Sequence, residues 1–289
     1  MKLQLAKRKD NLSESQIAAL ICLLGDEDSA IYLTVREKLL SCGTVAISWL
    51  RPYLLSNDPV LRRRVREIVK HFGRLDADNE FLAFCLNQGE DFDIEQGILL
   101  LAQTQFPDIN KAAYAAVLDS FASDLREQID PGAEADQVLA TINDYLFRQL
   151  GFGGNEENYY DPDNSYINCV LDRRTGNPIS LAAVYLLVAR RLKLPMTGIG
   201  LPGHFICRYQ TSKTEVYIDA FNRGKLLTKA DCIKYLLHTK HSLQEGHLTP
   251  VSSRRILLRI CANLHQIYTQ LGSHEEIARL QRYLVALAK

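Results

Sequence analysis

A chain of 289 residues is long for a single core, so two or more packed units are expected. Its 34 Lys and Arg balance 34 Asp and Glu, and a net charge of zero argues against a nucleic-acid partner, because phosphate binding needs a basic excess. No stretch approaches the ~18 consecutive apolar residues of a membrane span, and the opening MKLQLAKRKD lacks an apolar core of secretory length, so no membrane association is expected.

The first elements are helices. Ser13 and Gln16 form a capping-box signature ahead of Ile17, Leu20, Ile21 and Leu24. Two segments then repeat. Leu23-Leu24, Asp28, Val35-Arg36-Glu37 and Gly43 recur as Leu54-Leu55, Asp58, Val65-Arg66-Glu67 and Gly73. Each unit reads as a helix, an acidic turn and a second helix closed by Gly. The D-x-x-V-R pattern resembles HEAT-type repeats, whose helical hairpins bury their apolar faces by stacking on neighbours. These repeats, over residues 1–85, serve as a partner-binding surface or as a structural extension. The basic run Arg62, Arg63, Arg64 and Arg66 reads as a solvated helix face.

Residues 86–150 continue as a helical connector. Its stripes are Ile94, Ile98, Leu99, Leu101 and Ala102, then Tyr114, Val117, Leu118 and Phe121. After a turn at Asp130-Pro131-Gly132 come Val138, Leu139, Ile142, Tyr145, Leu146 and Leu150. Gly151-Phe152-Gly153-Gly154-Asn155 reads as a flexible loop. It lacks the GK[ST] ending of a phosphate loop.

The segment 151–235 carries the chemistry. Asn177-Pro178 starts a helix, with Asn as N-cap and Pro in the first turn, and the run LAAVYLLVA predicts burial on every side. Arg190, Arg191 and Lys193 place cations at its carboxyl end, where the dipole favours them. Ser180 is the polar residue of this run. At a helix amino-terminus it reads either as a nucleophile beside N–H groups able to hold an oxyanion, or as a local capping bond to the backbone. Strands follow at 204–209 and 214–221. If Tyr209 pairs with Thr214, then Arg208 faces Glu215, Ile206 faces Tyr217 and His204 faces Asp219. An imidazole beside a carboxylate is held in one tautomer, so Ser180, His204 and Asp219 form a candidate triad.

The run GFGGNEENYYDPDNSYINCVLDRRTGNPISLAAVYLLVARRL, with LPGHF and IDAFNRG, resembles the SirB-type branch of the transglutaminase-like superfamily. The resemblance extends over roughly residues 92–289, with its motifs in order. It implies a papain-like core, a central helix packed on an antiparallel sheet, with helices before it and TPR-like helices after it. It also implies that active members begin the central helix with Cys, follow with His on the next strand and Asp on the one after. Those positions carry over to Ser180, His204 and Asp219. A Ser hydroxyl cannot become an anion at a helix amino-terminus as a thiol can, and must pass its proton to a base during attack. Cys169 and Cys207 do not replace the thiol: Cys207 points to the strand face opposite His204, and Cys169 precedes the helix. Asn164, Tyr166 and Asn168 are candidate cleft-lining residues, with packing and turn roles as the alternative.

The last segment, 236–289, holds His238, His241 and His247, which lack the spacing of a metal site and read as a polar loop. It then forms a helical hairpin broken at Gly272-Ser273, with Leu257, Cys261, Leu264, Tyr268 and Leu271 as inner stripe. It resembles one TPR-like unit. The seven cysteines, an odd number without a CxxC pair, read as free thiols of a reducing cytoplasm. The expected fold is α+β and mainly helical. The expected function is a transglutaminase-like protein without catalysis, kept as a protein- or peptide-binding or regulatory module. The alternative is a Ser-His-Asp hydrolase or acyltransferase on an amide or ester. Neither cofactor nor metal is expected.

Overall fold

The two acidic turn residues of the amino-terminal repeat perform the same task. In the computed structural model, which describes residues 12–130, 132–239 and 245–289, Asp28 Oδ1 accepts the Ala30 N–H and Asp58 Oδ1 the Val60 N–H, each at 2.8 Å. Both supply an acceptor to the unsatisfied amides of a helix start. Helix α1 (Glu14–Leu24) opens with the expected Ser13–Gln16 capping box. It is followed by α2 (Ser29–Ser41), α3 (Val45–Leu50) and α4 (Pro59–Asn87). Ile21, Leu24, Val35, Leu39, Leu50 and Val65 are buried in one cluster between them.

The repeat breaks down at its second glycine. Gly43 has φ +73° and ends α2, whereas Gly73 lies within α4, where a Cβ would come within 3.0 Å of Pro107 Cβ. The second glycine permits a close approach instead of ending a helix. The basic run also divides. Arg63 and Arg66 are exposed, but Arg64 is buried, donates from Nη1 to Leu24 O at 2.9 Å and to Asp26 O at 2.5 Å, and stacks over the Tyr32 ring. A solvated face is therefore incorrect for Arg64, which satisfies carbonyls at the end of α1.

The chain divides into two compact units, residues 1–79 with 104–108 and residues 80–103 with 109–289. The segments expected as connector, core and terminal hairpin thus fall mostly together in the second. Its helices are the last turns of α4, most of α5 (Ile94–Gln105), α6 (Lys111–Gln128) and α7 (Ala135–Asn143), which runs on into a π-helical turn over Asp144–Gln149. Pro131 of the expected turn, and His241, lie outside the described residues.

The glycine-rich stretch is pinned in place. Strand β1 (Gly153–Gly154) pairs in parallel with β2 (Thr175–Gly176), which follows α8 (Ile167–Arg173). Phe152 is buried, and a Cβ on Gly154 would sit 2.5 Å from the Phe221 ring. The expectation of a flexible loop fails because Phe152 anchors one side and Phe221 leaves room only for Gly on the other.

Helix α9 (Pro178–Arg191) lies against β3 (Met196–Leu201) and β4 (His204–Gln210) of a sheet completed by β5 (Glu215–Asp219) and β6 (Lys225–Leu227). The four strands are antiparallel in the order β3-β4-β5-β6. Residues 178–185 and 187–189 are buried, as the apolar run requires. Its terminal arginines do more than meet the helix dipole. Arg191 Nη1 and Nη2 each donate at 2.8 Å to the buried Glu95 carboxylate, its Nε donates to Asp119 at 2.6 Å, and Arg190 donates to Glu95 and Asp93. The bidentate bond fixes the carboxyl end of α9 to α5 and α6.

The hairpin register differs from the expected one by two residues. Gln210 pairs with Glu215, Tyr209 with Val216 and Arg208 with Tyr217, so His204 lies beyond the last pair with β5. Thr211 to Thr214 form the whole connection, closed by Thr211 N–H donating to Thr214 O at 2.9 Å. A two-residue shift leaves every side chain on its own face. The expected pairs therefore survive as diagonals: Arg208 Nη1 lies 3.6 Å from Glu215 Oε1, and His204 Nε2 lies 2.8 Å from Asp219 Oδ2.

After β6 come α10 (Lys229–His238), α11 (Ser253–Gln270) and α12 (His274–Leu287). Leu257, Cys261, Leu264 and Tyr268 face inward on α11, but Leu271 is 59% exposed. Pro250 bridges to Ile199 and Val251 N–H donates to Gly198 O at 3.0 Å, so the approach to α11 is held on the free edge of β3. Buried Arg254 donates to Leu287 O, Ala286 O, Cys85 O and Gln88 O at 2.8–3.1 Å. One guanidinium thereby satisfies the last carbonyls of both α4 and α12.

Candidate functional site: a His-Asp pair between two cavities

The site is set by a tight turn. Leu201 pairs with His204 across Pro202-Gly203, and Gly203 takes φ +70°. Pro-Gly suits the two central positions of such a turn, because Pro presets its φ and Gly accepts a positive one. Tyr235 Oη donates to Pro202 O at 3.0 Å and fixes the turn from α10. The first residue of β4 is thereby held at the sheet end, beside the start of α9.

His204 separates two adjoining cavities of about 260 and 620 Å³. Tyr159, Pro178 and Gly203 also border both. The smaller is bordered by Arg259, Asn263 and Gln266 from α11 and by Ile179 and Phe205, while the larger is lined by Leu201, Leu226, Leu227 and Tyr235, with Lys225 and Asp231. The Asp219 carboxylate is buried and accepts from His204, from Asn222 N–H at 3.2 Å and from Asn222 Nδ2 at 2.8 Å. Burial raises its pKa, but the His204 bond and charge and the two Asn222 bonds outweigh burial and hold it below the ordinary carboxylate value. The carboxylate is thus ionised and directed at Nε2. Nδ1 of His204 has no partner among the described residues.

Ser180 is elsewhere. It is 2% exposed and borders neither cavity. Its N–H donates to Asn177 Oδ1 and its Oγ accepts from Asn177 N–H, each at 3.0 Å, which is a reciprocal capping box. Oγ in turn donates to Asn164 O at 2.6 Å, with Asn177 O at 3.0 Å. A Cβ on Gly176 would lie 2.5 Å from that oxygen. The residue that α9 presents beside His204 is Pro178, which has no nucleophilic atom. Of the three expected triad members the structure brings His204 and Asp219 together, and it gives Ser180 the local capping bonds.

The three residues expected to line the cleft border neither cavity. Asn164 is 2% exposed, and its Nδ2 donates to Asn158 O at 2.8 Å and Tyr159 O at 3.2 Å while Oδ1 accepts from Asn155. It positions the loop that carries Tyr159. Tyr166 is buried with its hydroxyl 3.5 Å from that of Tyr268, and Asn168 is buried on α8. Asn164 thus has a turn role and Tyr166 a packing one, while Asn168 is buried with its Oδ1 unpartnered among the described residues.

Three thiols lie in or near this region, and Cys232 borders the larger cavity. Cys207 is buried on the opposite face of β4, its thiol pushed up by burial; burial lifts Cys169 to about 12 and Cys232 to about 11. Among the described residues no three His, Cys, Asp or Glu side chains gather as a metal site.

Comparison with known proteins agrees with this architecture. Residues 112–262 match the Transglutaminase-like superfamily. The chain belongs to the transglutaminase-like superfamily. It is 36% identical over 187 residues to a UPF0162 protein of Xylella fastidiosa, a match covering 63% of this chain and 66% of that protein, just under two thirds of its length. It is 30% identical to a UPF0162 protein of Pseudomonas aeruginosa over 68% of this chain and 72% of that one. It is also 38% identical to F-box only protein 21 of Mus musculus, over 49% of this chain and 23% of that protein. No solved structure matches.

Among the residues that border the two cavities, the sequence reading gave no site role to Tyr159, Tyr160, Pro178, Arg259, Asn263 and Gln266. The signal was present for the last three. Spacings of i, i+4 and i+7 set a polar stripe on α11 beside its buried one, while the sequence reading considered only the inner, apolar stripe. No helix of the described residues is long and apolar enough to cross a membrane.

Proposed function

We propose that the transglutaminase-like domain binds a protein or peptide in the cleft around His204 and does not catalyse. What carries this reading is the state of Ser180: its one proton goes to Asn164 O at 2.6 Å, while Pro178 occupies the helix position beside the imidazole. A serine nucleophile needs its proton directed at a base within hydrogen-bond reach. Reaching His204 would require Ser180 to give up its bonds to Asn164 O and to Asn177. The helical repeats of residues 1–85, HEAT-like in their D-x-x-V-R pattern, and the TPR-like pair α11 and α12 are consistent with a role in assembly. In this reading the protein is of the SirB-type branch and works in the cytoplasm. Free cysteines at every described position support a reducing compartment.

The test is labelling by a serine-directed fluorophosphonate. The binding reading expects no Ser180-dependent label; label lost in Ser180→Ala would overturn it. A second reading, a Ser-His-Asp hydrolase or acyltransferase on an amide or ester, draws on the His204–Asp219 bond at 2.8 Å, which is the base and orienter such an enzyme uses. It expects turnover of an activated ester that disappears with Ser180→Ala and His204→Ala alike.

A further inference from the structure

Arg259 is the cation that borders the smaller cavity. Its guanidinium donates from Nη2 to Leu201 O at 2.6 Å and lies 5.7 Å from the Phe205 ring centroid. No carboxylate pairs with it among the described residues. Burial lowers its pKa, partly offset by the Tyr235 and Tyr159 hydroxyls, and it stays a cation. The arginines in the last turn of α9, Arg190 and Arg191, are by contrast satisfied by carboxylates. A half-buried guanidinium with one carbonyl acceptor has donors left over, and they border the 260 Å³ cavity. Asn263, one helical turn on and bordering the same cavity, has no hydrogen-bond partner among the described residues.

We propose that Arg259 and Asn263 form a carboxylate seat, and that the ligand is the carboxyl terminus of a peptide whose last residue is apolar. This deepens the binding reading above and rests on it. A guanidinium fork beside an amide matches a carboxylate, and the partial burial of Arg259 strengthens the match. The apolar side chain enters the 620 Å³ cavity on the other side of His204, between Leu201, Leu227 and Tyr235. A single residue bears both groups on one Cα, which suits two cavities that adjoin at His204. Tyr159 and Tyr160 are 38% and 54% exposed at the border of the smaller cavity. They offer ring surface to a chain that continues outward, which selects a peptide over a free acid. Asp219 borders the larger cavity and not the smaller one that takes the carboxylate, and its charge is partly balanced by bonds from His204 and Asn222.

The test is fluorescence anisotropy with the full chain and a fluorescein-labelled hexapeptide ending in Leu, as free acid and as C-terminal amide. The free acid is expected to bind about tenfold or more tightly than the amide. Acetyl-leucine is expected to compete at least tenfold more weakly than the unlabelled peptide, since it leaves the tyrosines uncovered. Asn263→Asp places an internal carboxylate one turn from Arg259 and is expected to abolish the preference with the thermal midpoint unchanged. Arg259→Gln should do the same. Equal binding of acid and amide, or a preference that survives Asn263→Asp, overturns the seat; acetyl-leucine competing as well as the peptide overturns the peptide as ligand. Mass spectrometry of the incubated peptide separates the two levels. Cleavage of a peptide bound with acid preference ends the non-catalytic reading and leaves the seat, whereas loss of the preference without cleavage ends the seat alone.

Discussion

Two of the three arginines of helix α11, Arg254 and Arg259, lie five residues apart and have opposite fates. Arg254 spends its donors on four carbonyls at the ends of α4 and α12, while Arg259 makes one bond to Leu201 O and turns the rest toward a cavity. The same contrast runs through the second unit. Ser180, Asn164 and Asn177 close on one another; His204 and Asn263 keep polar atoms open. Closed polar groups hold a fold together, and open ones are left for something else to satisfy.

The contrast can be broken most forcefully at Arg254. Arg254→Met fills the space but strands four carbonyls, and is expected to cost about 3 kcal/mol or more, read from the urea midpoint at an unchanged slope. Ser180→Ala removes one donor and half of a capping box, for an expected loss of roughly 1–2 kcal/mol. Peptide binding should be unaffected, which would fail if Ser180 belonged to the open set. Asp219 gives a smaller, pH-dependent effect. Its folded pKa lies below the unfolded value, so its contribution is present above about pH 4 and is lost as pH falls through the folded pKa. Wild-type urea midpoints should therefore fall more steeply on acidification than those of Asp219→Asn. Arg259→Gln should move stability least, within about 0.5 kcal/mol. A loss as large as that of Arg254→Met would place it among the closed groups.

The sequence made the closed groups easy to find and the open ones hard. Asn177-Pro178 and the apolar run after it marked α9 because capping and burial are local, and the pattern of residues 177–189 contains both. The His204–Asp219 pairing was legible for a weaker reason. Face alternation has period two, so a register wrong by two residues still put both on one side. What set the true register was the four-residue connection at Thr211 to Thr214, whose closing bond no alternation reveals. Strands β3 and β6 escaped notice because β3 carries two glycines and β6 is three residues long. Arg259 and Asn263 were missed because their meaning depends on the edge of β3 holding Pro250 and Val251 and so delivering α11 to the cleft, a contact across some fifty residues of chain.

The arginine clamp at the far end of α9 has a consequence for time. With Pro178 and the Asn177 cap at one end and the Arg190, Arg191, Glu95 and Asp119 network at the other, the helix has no loose end from which to fray. Amides of residues 182–189 should exchange with deuterium only through opening of the whole unit, at its slowest rate. Whatever enters the cleft then meets a floor that stands still on the timescale of binding. The loop bearing Tyr159 and Tyr160 at its rim is tied down as well, by the Asn164 side chain, by Arg173 on Asp161, and by the Tyr159 ring against Phe221.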